Sequence, residues 1–405
     1  LYIMNFDTMI NRRNTNSLKY DFALENGKPA DVLPLWVADM DFRVPNEVID
    51  ALINSSKHGI FGYSDTKQEY TNTLKQWFLK TLNWHIKDDW LVKTPGVVFA
   101  LSIAIQSFTK EEDAVLIQRP VYYPFSRLIH KNHRKLVNSS LIYKDDKYQI
   151  DFVDFEQKII ENDVKLFILC SPHNPVGRVW TKEELTKIGD ICLKHQVIVI
   201  ADEIHSAFTY PGHQHIVFAS LSPEINAITI TCTAPSKTFN LAGLQVSNIF
   251  IANENLRKQF IDTIDRNGYS HLNTLGIAAC QAAYTYGEEW LKSLKQYLIH
   301  NLNFVREFLK EHLPEIKLVE PEGTYLLWLD FSALQLSDEA LEDLITHKAK
   351  LWLDAGIMFG IEGKQFQRIN IACPQQTLEK ALLQLKFAIY QENFKSDKVF
   401  TPSKF

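Results

Sequence analysis

The segment TAPSKTFNLAGLQ, Thr233 to Gln245, sets one lysine, Lys237, between a serine and a threonine with almost no other charge nearby. Lysines ordinarily lay their stems over apolar neighbours and keep the ammonium in water. One that follows a β-branched apolar run is a candidate nucleophile, because a deprotonated amine condenses with an aldehyde. Three further groups stand at comparable places. Asn174 lies in SPHNPVG after KLFILC, Asp202 closes the run VIVIAD, and Gly96 in PGVV precedes the apolar stretch VVFALSIAIQSF. A glycine entering a helix leaves N–H groups and a positive dipole end for a phosphate. A carboxylate at a buried strand end suits a cationic ring nitrogen, which it holds protonated by charge pairing. An asparagine donates to a phenolate oxygen. The molecule that combines phosphate, ring nitrogen, phenolate and aldehyde is pyridoxal 5′-phosphate, an electron sink for carbanions.

Each residue alone has an ordinary reading. Lys237 is then a loop lysine, Asn174 a turn former beside Pro175, Asp202 a loop cap and Gly96 a plain turn. Their joint spacing argues otherwise. In open α/β sheets ligands bind beyond the carboxyl ends of the strands, and these residues follow successive strand-like runs.

The elements that must position them alternate through the middle of the chain. Val97 to Phe108 is long and apolar enough for a buried helix, and Ala114–Gln118 and Lys165–Ser171 read as strands. Thr181 with Glu184 three residues on is a capping box opening an amphipathic helix. Val197–Ile204, Ala227–Thr233 and Gln245–Ala252 are further β-branched strands. Continuous apolar strands between helices predict a mostly parallel sheet covered on both faces. After Gly287 the pattern changes to a long amphipathic helix from Glu288 towards Leu313, then YLLWLDF, a helix near Ser337 to Leu351, FQRINIAC and a terminal helix. The first fifty residues hold little periodicity around the knot LPLWVADMDFRVP and read as a packing arm. The predicted spans are an arm 1–50, a large domain 51–287 and a small α+β domain 288–405 to which the arm contributes.

At 405 residues, two domains are expected. A net charge of −5 gives no electrostatic reason to expect nucleic acid or an acidic membrane surface. The five cysteines are dispersed without a C-x-x-C pair, which suits reduced thiols and a cytoplasmic protein. The N-terminal stretch lacks a signal-peptide apolar core, and no apolar run approaches membrane-spanning length.

Over nearly its whole length the chain resembles the fold type I, aspartate-aminotransferase-like enzymes that use pyridoxal phosphate, within them the cystathionine β-lyase or C–S lyase branch. The motifs are LPLWVADMDF, HGIFGYSD, PGVV, RPVYYPF, SPHNPVGRVW, ADEIH, APSKTFNLAGLQ and RINIACP. The resemblance implies a large cofactor domain with a seven-stranded-type sheet between helices. It makes Lys237 the Schiff-base lysine that also moves the α-proton, Asp202 the partner of the ring nitrogen and Asn174 the donor to the phenolate. Tyr122 would stack on the ring, with Tyr123 its stand-in. Ser236 and the Val97 and Val98 amides would hold the phosphate, and His205 would touch the cofactor. Tyr63 would reach the phosphate of a second subunit, which implies a homodimer with shared sites. Lys237, Asp202 and Tyr63 form the implied catalytic set. Arg368 would clamp the substrate α-carboxylate, with the Val37 and Ala38 backbone closing that pocket beside Asn174, Tyr122 and Tyr123. Gln245 and Ala234 stand where many aminotransferases have an arginine and a serine, and His205 where a tyrosine is common. All three fit the lyase branch.

The implied reaction is β-elimination from L-cystathionine, L-cysteine or related S-conjugates to a thiol, pyruvate and ammonia. An aminotransferase built on the same Lys237 is the alternative, and a non-enzymatic regulator on the same fold a second. A metal hydrolase is the remaining class, since DEIHSAFTYPGHQH holds Asp202, Glu203, His205, His213 and His215. The stretch lacks H-E-x-x-H on a helix, so no metal is expected. Trp77, Trp84 and Trp90 are spaced irregularly and read as core.

Overall fold

The computed structural model of the chain describes residues 4–396. The described residues divide into two compact units, the larger comprising Arg43–Lys295 with Glu320–Thr324, the smaller 4–42, Gln296–Val319 and 325–396. Residues 1–3 and 397–405 of the predicted spans lie outside the described residues.

In the larger unit seven strands form one sheet in the order Leu91–Thr94, Ser247–Ile251, Thr229–Thr233, Ile198–Asp202, Leu166–Cys170, Ala114–Ile117, Lys135–Asn138. All run parallel except Ser247–Ile251, which is antiparallel to both neighbours. Ala114–Ile117, Leu166–Cys170, Thr229–Thr233 and Ser247–Ile251 are buried at every residue, as helices on both faces require. The two edge strands, Leu91–Thr94 and Lys135–Asn138, were not predicted. Each is short and alternates buried with more accessible residues, so neither carries the continuous apolar signal of the centre.

The predicted helix Val97–Phe108 is observed with those bounds, capped by Gly96 in extended backbone, and packs on Ile198–Asp202 and Thr229–Thr233. The capping box of Lys182–Lys194 is also present: Thr181 Oγ1 accepts from the Glu184 amide at 3.2 Å and Glu184 accepts from the Thr181 amide at 2.8 Å. Glu184 serves a second purpose. It takes buried Arg178 at 2.8 Å, while the Arg178 Nε donates to Glu322 at 2.8 Å. Glu322 also accepts from the Val179 amide at 2.9 Å, so one buried charge cluster fastens the loop that carries Asn174.

The short helix Pro235–Thr238, which carries Lys237, ends on Phe239. Phe239 is fully buried among Trp77, Tyr284 and Trp290, with ring centroids 5.5, 5.8 and 6.0 Å away. Gly287 makes the room, because a Cβ there would fall 2.3 Å from the Phe239 ring. Trp77 and Trp84 are core residues, Trp84 lying edge-on to Phe250 at 5.2 Å.

The smaller unit holds a four-stranded antiparallel sheet in the order Lys317–Val319, Leu326–Asp330, Phe366–Asn370, Asp354–Ala355. Leu33–Pro34 pairs in parallel with Leu351–Trp352, which attaches the N-terminal arm. The arm is also locked by charge: Lys19, at 0% exposure, lies 3.1 Å from Asp41, and Arg12 bridges Asp39 and Asp41 at 2.7 and 2.8 Å. Such an ammonium is tolerated inside only because carboxylates face it. The helix predicted near Ser337–Leu351 is the shorter Asp338–Asp343, continued by a π turn over Leu344–Lys348.

Replacing Phe239 by Ala should lower the unfolding free energy by about 3–5 kcal/mol. The check is the urea midpoint, against Ile53→Ala at an exposed position, which should stay within about 0.5 kcal/mol.

Candidate active site

Strand register brings the larger unit's polar groups to one edge. Cys170 lies opposite Asp202, and Asp202 opposite Cys232, so the loops bearing Asn174 and Lys237 leave the sheet level with the Asp202 carboxylate. Asp202 is buried and accepts from the Ile204 amide at 3.2 Å. Burial pushes its acid up to about 7; the Ile204 amide and the nearby Lys237 charge pull the other way, and Glu203 adds to the rise. Its strand neighbours are thiols: burial first, and the Asp202 charge second, push both Cys170 and Cys232 up, so neither supplies a counter-charge. The strand neighbours offer this acid no cation. Lys237, half-buried one turn beyond its strand, is the charge that reaches it.

Asn174 is buried and its carbonyl accepts the Tyr122 amide at 3.0 Å, which ties the predicted donor to the predicted stacking ring. Tyr122 and Tyr123 are both half-buried, with ring centroids 5.6 Å apart. A Cβ at Gly96 would meet nothing within 4 Å, so open space lies before the N-terminal turn of Val97 and Val98, a turn without an acidic residue. Ser236 is half-buried beside Lys237, and His205 is buried. Space at a helix end, a buried acid with no cation on its strand neighbours and a nearby amine fit pyridoxal phosphate. Gln245 is exposed in left-handed backbone at φ 48°, and Ala234 is buried. Tyr63 is 99% exposed, with the His271 ring 6.3 Å away.

Arg368 belongs to the smaller unit, on the strand Phe366–Asn370. Its Nη2 donates to the Trp36 carbonyl at 2.9 Å and to Asp354, and its guanidinium lies 5.0 Å from the Phe359 ring. Two residues along, Asn370 donates to the Val37 and Asp39 carbonyls at 2.8 and 2.7 Å, and the Tyr325 hydroxyl to the Ala38 carbonyl at 3.1 Å. The predicted Val37–Ala38 backbone is thus stitched beside the predicted arginine. Asp354, Asn370 and Tyr325 were not predicted, because cross-strand partners leave no local spacing to read.

Glu203 and His215, weighed as metal ligands, bind each other at 2.9 Å in the core, and Glu203 also accepts from the Phe218 amide at 2.8 Å. Among the described residues no three His, Cys, Asp or Glu side chains converge as a metal site.

The chain matches the model of the aminotransferase class I and II family over residues 30–385. It is 44% identical to cystathionine β-lyase PatB of Bacillus subtilis (strain 168), across 95% of this chain and 100% of that protein. Among solved structures, cystalysin from Treponema denticola, which contains a pyridoxal 5′-phosphate cofactor, superposes with a TM-score of 0.93 at 40% identity, covering 96% of this chain and 99% of its own. The pyridoxal-phosphate-bound C–S lyase from Staphylococcus hominis gives 0.89 at 34% identity, covering 95% and 97%.

The folded protein binds a proton at Asp202 with a pKa of about 7 against an ordinary 3.8, so the folded state holds more protons than the unfolded between those values. Without cofactor, stability should therefore fall as pH rises through that window. Asp202→Asn carries no charge and keeps an oxygen for the Ile204 amide. Scanning calorimetry of the cofactor-free protein should find it melting above wild type near pH 8, by at most about 4 kcal/mol in stability, and level with it near pH 4.

Proposed function

Because the chain belongs to the aminotransferase class I and II family, we infer that it is a pyridoxal-phosphate-dependent carbon–sulfur lyase. It removes the thiol from L-cystathionine, L-cysteine or related S-conjugates and leaves pyruvate and ammonia, with one water consumed. One observation carries the lyase reading over the transaminase: relatives 44% and 32% identical to this chain bear cystathionine β-lyase names, and a relative named aspartate aminotransferase is only 26% identical.

Pyridoxal phosphate, when bound, supplies an aldehyde for amines and a ring that accepts the electrons left by a departing proton. Lys237 would hold the group through Nζ until the substrate amine displaced it, and the amine so freed would take the α-proton as general base. Asp202 keeps a proton on the ring nitrogen by charge pairing, a role supported by its burial and by the absence of counter-charge on its strand neighbours. Asn174 donates to the phenolate oxygen, and Tyr122, held by the Asn174 carbonyl, covers the ring with Tyr123 beside it. The Val97 and Val98 amides and Ser236 bind the phosphate, the open space at Gly96 supporting this. His205 lines the cofactor site. Arg368 receives the substrate α-carboxylate with its planar fork, beside the Val37 and Ala38 backbone.

Tyr63 completes the phosphate site of a second copy, so the working unit is a homodimer; its near-total exposure in the single chain supports this. The protein is cytoplasmic, a reading supported by five free, buried cysteines. No helix among the described residues is long and apolar enough to cross a membrane.

Incubating the protein with L-cystathionine should release a thiol and pyruvate without any added 2-oxo acid. Lys237→Ala should lower the rate by about a thousandfold or more. Turnover that appears only when a 2-oxo acid is supplied would make the protein a transaminase.

A further inference from the structure

We propose that Asp354 is a positioning residue for the arginine that binds the substrate carboxylate, and that the neighbouring Lys28–Glu342 ion pair tunes this positioning. The proposal rests on Arg368 taking the α-carboxylate.

Asp354 and Arg368 are direct partners across the antiparallel pair, so their side chains rise from the same face of the sheet. The two are ion-paired, and both are nearly inaccessible to solvent. Arg368 Nη2 is shared between the Asp354 carboxylate and the Trp36 carbonyl at 2.9 Å, and the guanidinium lies over the Phe359 ring. A guanidinium is planar and delocalised, so pinning one corner fixes the direction of every other N–H bond. Bidentate capture of a carboxylate depends on that direction. Asp354 pins the guanidinium through a charge, and a charge-assisted hydrogen bond is roughly twice as strong as a neutral one such as that to the Trp36 carbonyl. Without Asp354, the buried guanidinium would turn towards whatever acceptor it could find. Asp354 also competes with the substrate for the same positive charge. Orientation outweighs that competition, because a misdirected fork loses one of the two bonds it makes.

Two further charges act on Asp354. Burial pushes the Asp354 acid up, Arg368 pulls it down, Glu342 pushes it up and Lys28 pulls it down. These are the charged groups facing it, one from the strand Phe366–Asn370, one from the helix Asp338–Asp343 and one from the N-terminal arm. Lys28 is ion-paired with Glu342, and Thr346 donates to Glu342 at 2.9 Å. Both members of the pair line a cavity of about 710 Å³ together with Ala355, the residue next to Asp354. Lys28 therefore screens Asp354 from Glu342. Removing Lys28 leaves the Glu342 charge unopposed and favours protonated Asp354, and removing the Glu342 charge does the reverse.

The test measures steady-state kinetics of the holoenzyme with L-cystathionine across pH. Asp354→Asn should raise KM about tenfold with kcat changed by less than about threefold, as expected when a group orients the binding fork without touching the reacting bonds. On the acid side, the fall in kcat/KM should move to higher pH in Lys28→Met and to lower pH in Glu342→Gln. A purely structural role would lower the melting temperature of both the Lys28 and the Glu342 variant without moving their profiles in opposite directions. Unchanged or tighter KM in Asp354→Asn overturns the proposal. If that variant fails to fold, the Lys28 and Glu342 variants decide, and profiles that do not move apart overturn it. Arg368→Ala separates the two levels. It should raise KM roughly 10- to 100-fold; an unchanged KM there removes the reading of Arg368 itself, whereas a raised KM beside an unaffected Asp354→Asn removes the positioning role alone.

Discussion

Burying the Asp202 carboxylate at the end of a fully apolar strand creates a demand for positive charge that its immediate neighbours do not meet. The strands on either side present thiols, and the hydrogen bond from Ile204 is a neutral one. The acid is consequently pushed up towards neutrality, which is the condition under which a bound cation gains most from facing it. Much of the larger unit can be understood as holding complementary groups level with this carboxylate. Parallel pairing in register sets the heights of the Asn174 and Lys237 loops. The Arg178–Glu184–Glu322 cluster fixes the first of these loops, and the aromatic packing of Phe239 fixes the second. Function here depends on residues that never meet the substrate.

The smaller unit solves a related problem with the signs reversed. Arg368 is a buried cation, and it is compensated within its own sheet by Asp354, whereas Asp202 in the larger unit is not fully compensated by its neighbours. Both arrangements are costly in isolation and hold because surrounding packing over-determines them. The N-terminal arm repeats the theme. Asp39 and Asp41 of the WVADMDF segment draw in Arg12 and Lys19, while the carbonyls between Trp36 and Asp39 are bound by Arg368, Asn370 and Tyr325. A segment with almost no periodic structure thus becomes a fixed wall.

Where residues carry their own local signal, the sequence was a good guide to the fold. Val97–Phe108 is bounded by a glycine before it and an end to its apolar run after it, and the helix follows those bounds. The central strands were legible because both faces are buried, although their predicted ends ran one or two residues too far. Periodicity records burial, and hydrogen-bond partners decide where a strand stops. For the same reason the edge strands Leu91–Thr94 and Lys135–Asn138 were missed, and the reversed direction of Ser247–Ile251 left no trace in its residues. In the candidate site, Asp202 and Lys237 are brought together as their positions after successive strands implied. The supports of the site were not legible. Asp354 meets Arg368 only through strand pairing, Phe239 looks like any core phenylalanine, and the return of Glu320–Thr324 to the larger unit depends on contacts with Gly177 and Phe208 that are distant in sequence.

The central claim is that Lys237 is the amine that carries the pyridoxal group, with Asp202 facing the ring. It is tested most directly by treating the holoenzyme with borohydride, digesting it and locating the modified peptide by mass spectrometry. The account predicts a pyridoxyl group fixed to Nζ of Lys237, and its appearance on another lysine, or on none, would contradict it.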